Sequence, residues 1–261
     1  INNMKTKFLH IATALLFAGF TSSCSDFLDR YPLDELSDSS FWKTENDAMM
    51  AVTDIYGCLP TWDQDEDINS DNAVHGIKWA AGNISKGIYD PMDQSWAGSY
   101  TPIRQCNLVL EKVKDIEMSD ESRKKIEGQA YFFRAFVYFN LIRSFGDVPY
   151  IDKPLNLTDV EDITRTPREE VYAKVMADFD KAIEYLPEEW DAANTPRVTK
   201  GAALAMKARA ALYYSNWQVA ADASKAVIDL GKYELYDAGN TGKYQELFWE
   251  KSDGCDENIL Y

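Results

Sequence analysis

Three aromatic and three polar side chains in one irregular stretch have the chemistry to bind a sugar. Residues 60 to 100 are rich in Asp, Asn, Gly and Ser and contain no pattern typical of a helix. Indole and phenol rings match the C–H faces of a sugar ring, while carboxylates and amides bind its hydroxyl groups. Long irregular segments in compact domains are usually functional. The candidate carbohydrate-binding residues are therefore Trp62, Asp71, Asn72, Trp79, Asn83 and Tyr89.

The tryptophans also allow a purely structural interpretation. Trp62 and Trp79 could each fix a loop onto a helical core, and the sequence leaves this alternative open beside ligand contact. Trp96 stands where a later helix is expected to begin, so we assign it a structural role.

Residues that would support catalysis are scarce. His75 is the only histidine outside the N-terminal segment, which excludes a zinc site with two histidine ligands. No serine or cysteine lies in a nucleophile elbow, and no glycine-rich phosphate-binding motif occurs. We predict that the protein is not an enzyme and binds no cofactor. A glycoside hydrolase remains an alternative, because sequence spacing does not reveal which of the 43 acidic side chains share a cleft.

An acidic run in the same stretch partly matches a calcium-binding loop. Acids occupy ligand positions 1, 3, 5 and 9 of that pattern: Asp63, Asp65, Asp67 and Asp71. Position 6 requires glycine for a sharp turn but is Ile68, and position 12 requires a bidentate glutamate but is Val74. The pattern fails where its geometry is strictest, so we predict a solvated acidic loop and no metal site.

The net charge restricts the possible partners. The chain carries 27 Lys and Arg against 43 Asp and Glu, a formal charge of −16. Such a surface repels phosphate backbones, so we exclude nucleic acid as a partner.

The N-terminus predicts export and lipidation. Lys5 and Lys7 precede a largely apolar run, residues 8–20, which is shorter than the roughly 20 residues that span a bilayer. A basic start and a short apolar run are typical of a secretory signal peptide. Two serines then lead directly into Cys24, as in bacterial lipoproteins, so we expect Cys24 to be acylated and to anchor the protein in a membrane.

The chain accordingly divides into three parts. Residues 1–23 are the predicted signal peptide, and residues 24–40 are a lipidated N-terminal arm without helical periodicity. Residues 41–261 form a helical domain. Three cysteines lie in that domain, and we interpret Cys58, Cys106 and Cys255 as small buried side chains, with one disulfide as the open alternative.

Helix caps and apolar periodicity indicate an all-α fold. Thr44, followed by acids, predicts the start of one helix. Ser119 begins a longer one that ends at Gly146 and is apolar nearly all round between residues 130 and 141, so we place it in the core. A further helix follows Thr166, which has the pattern of an N-cap with Pro167 at the first position and a capping box.

The last third of the domain predicts a helical hairpin. Two helical segments are joined by only Ser215 and Asn216, and glycine follows the second at Gly231. Alanines recur through both segments at helical spacing, which is typical of a tetratricopeptide-type pair. The helix after Thr166 is expected to pair with the one that begins at Ser119. An ordinary helical bundle is the alternative arrangement.

Five segments, in order, resemble the SusD/RagB family of Bacteroidetes outer-membrane lipoproteins. They lie within Cys24 to Tyr261 and read CSDFLDRYPLDELSDSSFWKTENDAMMAVTDIYG, WAGSYTPIRQCNLVLEKV, GQAYFFRAFVYFNLIRSFGDVPY, TPREEVYAKVMADFDKAIEYLP and TKGAALAMKARAALYYSNWQVAADASKAVI. The resemblance implies tetratricopeptide-like helical pairs with the ligand site in long loops. It also implies that the chain corresponds to the N-terminal portion of a longer protein, and we expect the C-terminal half to be absent.

The resemblance further implies a function. Members capture oligosaccharides at the cell surface and pass them to a SusC-like TonB-dependent transporter, so we expect a glycan, that transporter and the outer membrane as partners. Some members handle peptide or protein cargo, which is the alternative. The family commonly has Gly-Glu-Ala-Arg where this chain has residues 128–131, Gly-Gln-Ala-Tyr. Exchange of charged for neutral groups in a buried helix can leave stability nearly unchanged, so we expect the fold to persist with altered charge contacts.

Overall fold

Six α-helices make up the domain in the residues that the structure describes. The computed structural model describes residues 41–59, 94–160, 162–236, 246–247 and 255–259. The helices belong to one compact unit, Trp42–Tyr261. They are α1 (Glu45–Ile55), α2 (Gln94–Lys112), α3 (Asp120–Phe145), α4 (Arg168–Tyr185), α5 (Lys200–Tyr213) and α6 (Trp217–Asp229).

Helix α3 is the centre of the fold. It packs against α1, α2 and α4, while α5 packs against α4 and α6. The apolar stretch of α3 explains this position, because it supplies the largest fully buried side chains of the core: Phe132, Phe133, Tyr138 and Phe139. The all-α prediction and the two predicted helix pairings, α3 with α4 and α5 with α6, are confirmed.

Most predicted helix ends are confirmed. The Thr44 side chain accepts from the Asp47 backbone, and the Asp47 carboxylate accepts from the Thr44 backbone, which forms a capping box. The Ser119 side chain caps α3, and Gly146 ends it with a φ of 72°, a left-handed conformation that favours glycine.

The predicted cap at Thr166 is wrong. Both backbone groups of Thr166 pair with Val148 in an isolated β-bridge, and the residue before α4 is Pro167, which offers no side-chain cap. Instead, the Asp147 carboxylate accepts from the Arg168 backbone N–H at 3.0 Å. A residue distant in sequence therefore supplies the cap, and local spacing could not show this.

Helix α2 begins inside the stretch, residues 60 to 100, in which the sequence shows no helical pattern. Residues 94–100 are helical, although Gly98 and Pro102 both disfavour helix. Packing outweighs this propensity. The Trp96 ring contacts Phe145 edge-to-face at 5.0 Å between centroids, and the Tyr100 hydroxyl donates to the Pro149 carbonyl at 3.0 Å. Trp96 thus has the expected packing contacts at this helix start.

Small residues allow close contacts in the C-terminal hairpin. Ala202, Ala211, Ala220 and Ala223 are buried. The cysteine interpretation is corrected in part: Cys58, Cys106 and Cys255 are free thiols, but only Cys106 is fully buried.

Candidate functional site

A cleft of about 430 Å³ lies where α1, α2 and α3 meet. Its wall includes residues from the end of α1 and the turn that follows, from one face of α2, and from the second half of α3. The described residues that line it are Asp54, Gly57, Cys58, Gly98, Ser99, Thr101, Pro102, Gln105, Phe136, Val137 and Asn140. On α2 these residues recur at intervals of three and four, so one face of that helix forms a continuous wall.

One side of the cleft is polar. The Gln105 amide donates to the Asp54 carboxylate, which joins α1 to α2 across the cleft. Thr101 is exposed and Asn140 is half-buried. This side thus combines a carboxylate, two amides and a hydroxyl, which can both donate and accept hydrogen bonds.

The other side of the cleft is apolar. Val137 is buried, and the half-buried Phe136 ring lies parallel to Phe132 at 6.3 Å between centroids. The tightly packed Phe132 holds Phe136 in place, so the cleft has a fixed aromatic wall.

A second polar cluster joins the turn after α1, helix α3 and the segment that precedes α5. The Tyr56 hydroxyl donates to the Gln129 side-chain carbonyl at 2.8 Å and accepts from the Val198 backbone at 2.9 Å. Arg197 donates to the same Gln129 oxygen, and the Gln129 amide donates to the Lys125 carbonyl. Burial raises the pKa of Tyr56 to about 12, so its hydroxyl keeps its proton at neutral pH. Gln129, in the segment where the family pattern is charged, is thus fully buried and hydrogen-bonded without an ion pair.

A buried ion pair ties the helices behind the cleft together. The Arg134 guanidinium on α3 donates to both carboxylate oxygens of Asp178 on α4, each at 2.7 Å. It also donates to the Asn107 side chain on α2 at 2.8 Å, and Asn107 in turn donates to the Ile151 carbonyl. The charge is fully satisfied within the core, so this cluster holds the scaffold and does not face a ligand.

The Cys58 thiol at the cleft wall is not activated as a nucleophile. Burial raises the pKa of the Cys58 thiol to about 11, so it is protonated and a poor nucleophile at neutral pH. In the described part of the chain, no three His, Cys, Asp or Glu side chains are grouped so that they could hold a metal ion.

Comparison with protein families identifies the chain. A family model described as SusD-like, starch-binding and associating with the outer membrane matches residues 27–212, more than two thirds of the sequence. The chain belongs to the SusD-like family. The resemblance of the five sequence segments is therefore confirmed.

Individual relatives agree with this assignment. SusD-like protein P2 of Formosa agariphila is 29% identical over 240 residues, which cover 86% of this chain and 46% of that protein. A SusD-like protein from Bacteroides fragilis has a crystal structure with 28% identity and a TM-score of 0.79, covering 88% of this chain and 47% of that one. A laminarin-binding SusD-like protein has 23% identity and a TM-score of 0.73, covering 84% and 51%, and it shares the fold. This SusD-like chain spans about half the length of the relatives it matches.

The candidate residues of the SusD-like chain lie outside the described ranges. This holds for Cys24 and for the six candidate ligand residues, Trp62, Asp71, Asn72, Trp79, Asn83 and Tyr89. What the structure does show is where the segment that carries the six begins and ends. Gly57 and Cys58 come just before it and Gly98 just after it, and all three line the cleft.

Sequence reasoning missed the cleft itself. Asp54, Gln105 and Asn140 stand on three helices far apart in sequence, so no local spacing links them. One sequence feature could have pointed to it: a glycine and a proline four residues apart within a helical pattern, Gly98 and Pro102, which require a special explanation. Within the described ranges, no helix of this SusD-like chain combines the length and the apolar character that crossing a membrane requires.

Proposed function

We propose that this chain is the helical N-terminal portion of a surface-exposed lipoprotein that captures oligosaccharides and delivers them to a SusC-like TonB-dependent transporter. The observation that carries this proposal is the family match over residues 27–212, whose description is starch-binding and associating with the outer membrane.

In this proposal, the loop between α1 and α2 supplies the main contacts to the glycan. Trp62, Trp79 and Tyr89 stack on sugar rings, and Asp71, Asn72 and Asn83 bind hydroxyl groups. Support comes from the described residues on either side of this loop, since Cys58 before it and Gly98 after it both line the cleft. The charge of −16 favours neutral over anionic polysaccharides.

Calorimetry against a polysaccharide panel that includes starch and laminarin tests the ligand class. We expect one or more neutral glycans to bind, and we expect Trp62→Ala and Trp79→Ala each to weaken binding at least about tenfold, as truncation of a central aromatic contact does. Trp217→Ala is the matched control, because Trp217 is a 62% exposed tryptophan on the C-terminal hairpin and its loss should leave the affinity unchanged.

Three results would contradict the glycan assignment. Binding of peptides with no glycan bound would favour the cargo alternative within the same family. Release of reducing sugars from the panel would indicate a glycoside hydrolase instead, and we expect none. Equal affinities for wild type, Trp62→Ala and Trp79→Ala would remove the loop residues from the site.

Anchoring and delivery are tested separately from ligand binding. Acylation of Cys24 with two or more chains gives stable membrane attachment. We therefore expect palmitate labelling in the native host, its loss in Cys24→Ala, and digestion of the protein by protease added to intact cells. We also expect a TonB-dependent transporter to co-purify with the wild-type protein. Labelling that persists in Cys24→Ala would refute the anchor.

A further inference from the structure

We propose that the cleft between α1, α2 and α3 is a second binding site of this protein, which takes a single neutral sugar residue. For the chemical class of the ligand we rely on the proposed function. The site itself uses only described residues of the three helices and none of the six loop candidates.

The size of the cleft suits a small ligand. Its volume of about 430 Å³ lies within the roughly 300–1,000 Å³ of typical small-molecule pockets, near the lower end. A site of this volume accommodates a single sugar residue and not a long polymer segment.

The polar side of the cleft has hydrogen-bonding groups that the described residues do not fully satisfy. Among the described residues, neither the Thr101 hydroxyl nor the Asn140 amide has a hydrogen-bond partner in the protein. The hydrogen bond between Gln105 and Asp54 fixes their orientation and leaves further donor and acceptor capacity on both. A ligand rich in hydroxyl groups can satisfy such a set, because each hydroxyl both donates and accepts.

Helix α2 adds a backbone acceptor at the same wall. Pro102 has no N–H to donate to the carbonyl of Gly98, four residues earlier, so that carbonyl lacks its helical partner. A side chain at Gly98 would meet nothing within 4 Å, so no close packing requires glycine there. Glycine costs about 1 kcal/mol relative to alanine inside a helix. Its effect at this position is to keep the wall open beside a carbonyl that receives no N–H from residue 102.

The remaining wall selects against charged ligands. Phe136 and Val137 supply the apolar surface that matches the C–H face of a sugar ring. Among the described lining residues there is no Lys or Arg, and Asp54 is the one with a charged side chain, so phosphates and carboxylates are disfavoured. The combination of an aromatic wall with uncharged and acidic polar groups points to a neutral sugar.

Cys58 provides a reporter that is specific to this cleft. It is half-buried at the cleft wall, whereas Cys106 is fully buried and Cys255 is half-buried elsewhere in the chain. The full chain is treated with iodoacetamide at mildly alkaline pH, and modification of each cysteine is followed by mass spectrometry of its peptide. Glucose, galactose, mannose, xylose, N-acetylglucosamine and laminarin oligosaccharides are the probes.

We expect at least one of these sugars to protect Cys58. At ten times its dissociation constant, the ligand leaves about a tenth of the sites free, so alkylation of Cys58 should slow about tenfold. Alkylation of Cys255 should not change and serves as the internal reference.

Two variants of one residue test whether the cleft is the site. Gly98→Leu places a side chain in the cleft and should abolish protection of Cys58, with any cleft-dependent affinity measured by calorimetry falling at least tenfold. Gly98→Ala, the matched control, adds only a methyl group and should retain protection. Thr101→Val removes one exposed hydroxyl and keeps the shape of the side chain, so protection of Cys58 should weaken several-fold. This variant provides the test if Gly98→Leu does not fold.

The outcomes separate this proposal from the proposed function. Glycan binding by calorimetry without protection of Cys58, and with equal affinity for the Gly98 variants, overturns the cleft site and leaves the loop site intact. Protection that persists in Gly98→Leu also overturns it. Protection of Cys58, together with unchanged glycan affinity in Trp62→Ala and Trp79→Ala, supports the cleft site. It would also show that these two loop residues do not contribute to glycan binding. Absence of any sugar binding overturns both.

Discussion

Removal of the Asp178 carboxylate should destabilise the protein strongly. In the folded protein, Arg134 donates two hydrogen bonds of 2.7 Å to Asp178 and one of 2.8 Å to Asn107, and both charged side chains are less than a tenth exposed. In Asp178→Ala only the bond to Asn107 remains. The guanidinium keeps its charge, because an arginine side chain does not deprotonate in proteins.

The expected loss follows from this geometry. An uncompensated buried charge costs about 3–5 kcal/mol when its partner is removed. Domains of this size have free energies of unfolding of about 5–15 kcal/mol, so at least about a fifth of the total stability is at stake. The melting temperature should fall by roughly 6–20 °C, at about 2–4 °C per kcal/mol for a domain of 150–250 residues.

Urea unfolding followed by circular dichroism measures this effect. The control is Asp229→Ala, which removes an ion pair of the same length, 2.7 Å, between Lys225 and Asp229. The side chains of these two residues are 72% and 56% exposed, respectively. That change should cost no more than about 0.5 kcal/mol. The double variant Arg134→Met/Asp178→Leu removes both charges and should recover most of the stability, because buried pairs are often replaced by apolar residues at little cost.

A small effect of Asp178→Ala would refute the reasoning. If it cost no more than the exposed pair, the guanidinium would have to reach water in the folded protein, and the cluster would not be the buried joint between α2, α3 and α4. A double variant as unstable as Asp178→Ala would show that packing, and not charge, is at issue.

Three further predictions test other parts of the domain. Gly128→Ala should destabilise by about 1–3 kcal/mol, because its new Cβ would lie 3.0 Å from the Cβ of Tyr185 on the neighbouring helix. The rate of Cys58 alkylation should rise with pH toward a pKa of about 11, since burial disfavours the thiolate. Hydrogen bonds from Thr44 lower the pKa of Asp47, so its contribution to stability is complete above the ordinary aspartate pKa and is lost as the pH falls through and below it.

Each of these has a clear measurement. Thermal unfolding of Gly128→Ala and of wild type tests the first prediction. An unchanged melting temperature would mean that α3 and α4 move apart without loss of stability. A midpoint near 9 in the alkylation profile would show that Cys58 is not desolvated. For Asp47, the melting temperatures of wild type and Asp47→Ala should converge between about pH 5 and pH 2, and a constant gap would contradict the ionic cap.

The sequence predicted the fold well because its information is local. Thr44, Ser119 and Gly146 mark helix ends through contacts within a few residues, and the apolar run of α3 identifies the core helix. Predictions went wrong where distant residues decide the structure. Asp147 caps α4 in place of Thr166, and tertiary contacts of Trp96 extend α2 through unfavourable residues.

The sites were harder to predict for the same reason. The pairing of Arg134 with Asp178 joins residues 44 positions apart, and the only local sign of it is a single arginine within an apolar run. Residues of three helices form the cleft, and its one local sign in the sequence is the spacing of Gly98 and Pro102, four positions apart. Composition could suggest which residue types bind sugar, but not which of them share a surface.

The connection between α3 and α4 offers a place for protein engineering. The β-bridge between Val148 and Thr166 joins the two ends of this connection. In addition, the Tyr138 hydroxyl accepts from the Ile151 backbone N–H at 2.7 Å and donates to the Ile151 carbonyl at 3.1 Å. Residues 162–165 lie between these contacts in the chain and are exposed. A fluorophore or an affinity tag inserted there should leave the two helices in place, which would give a labelled protein for binding and localisation experiments.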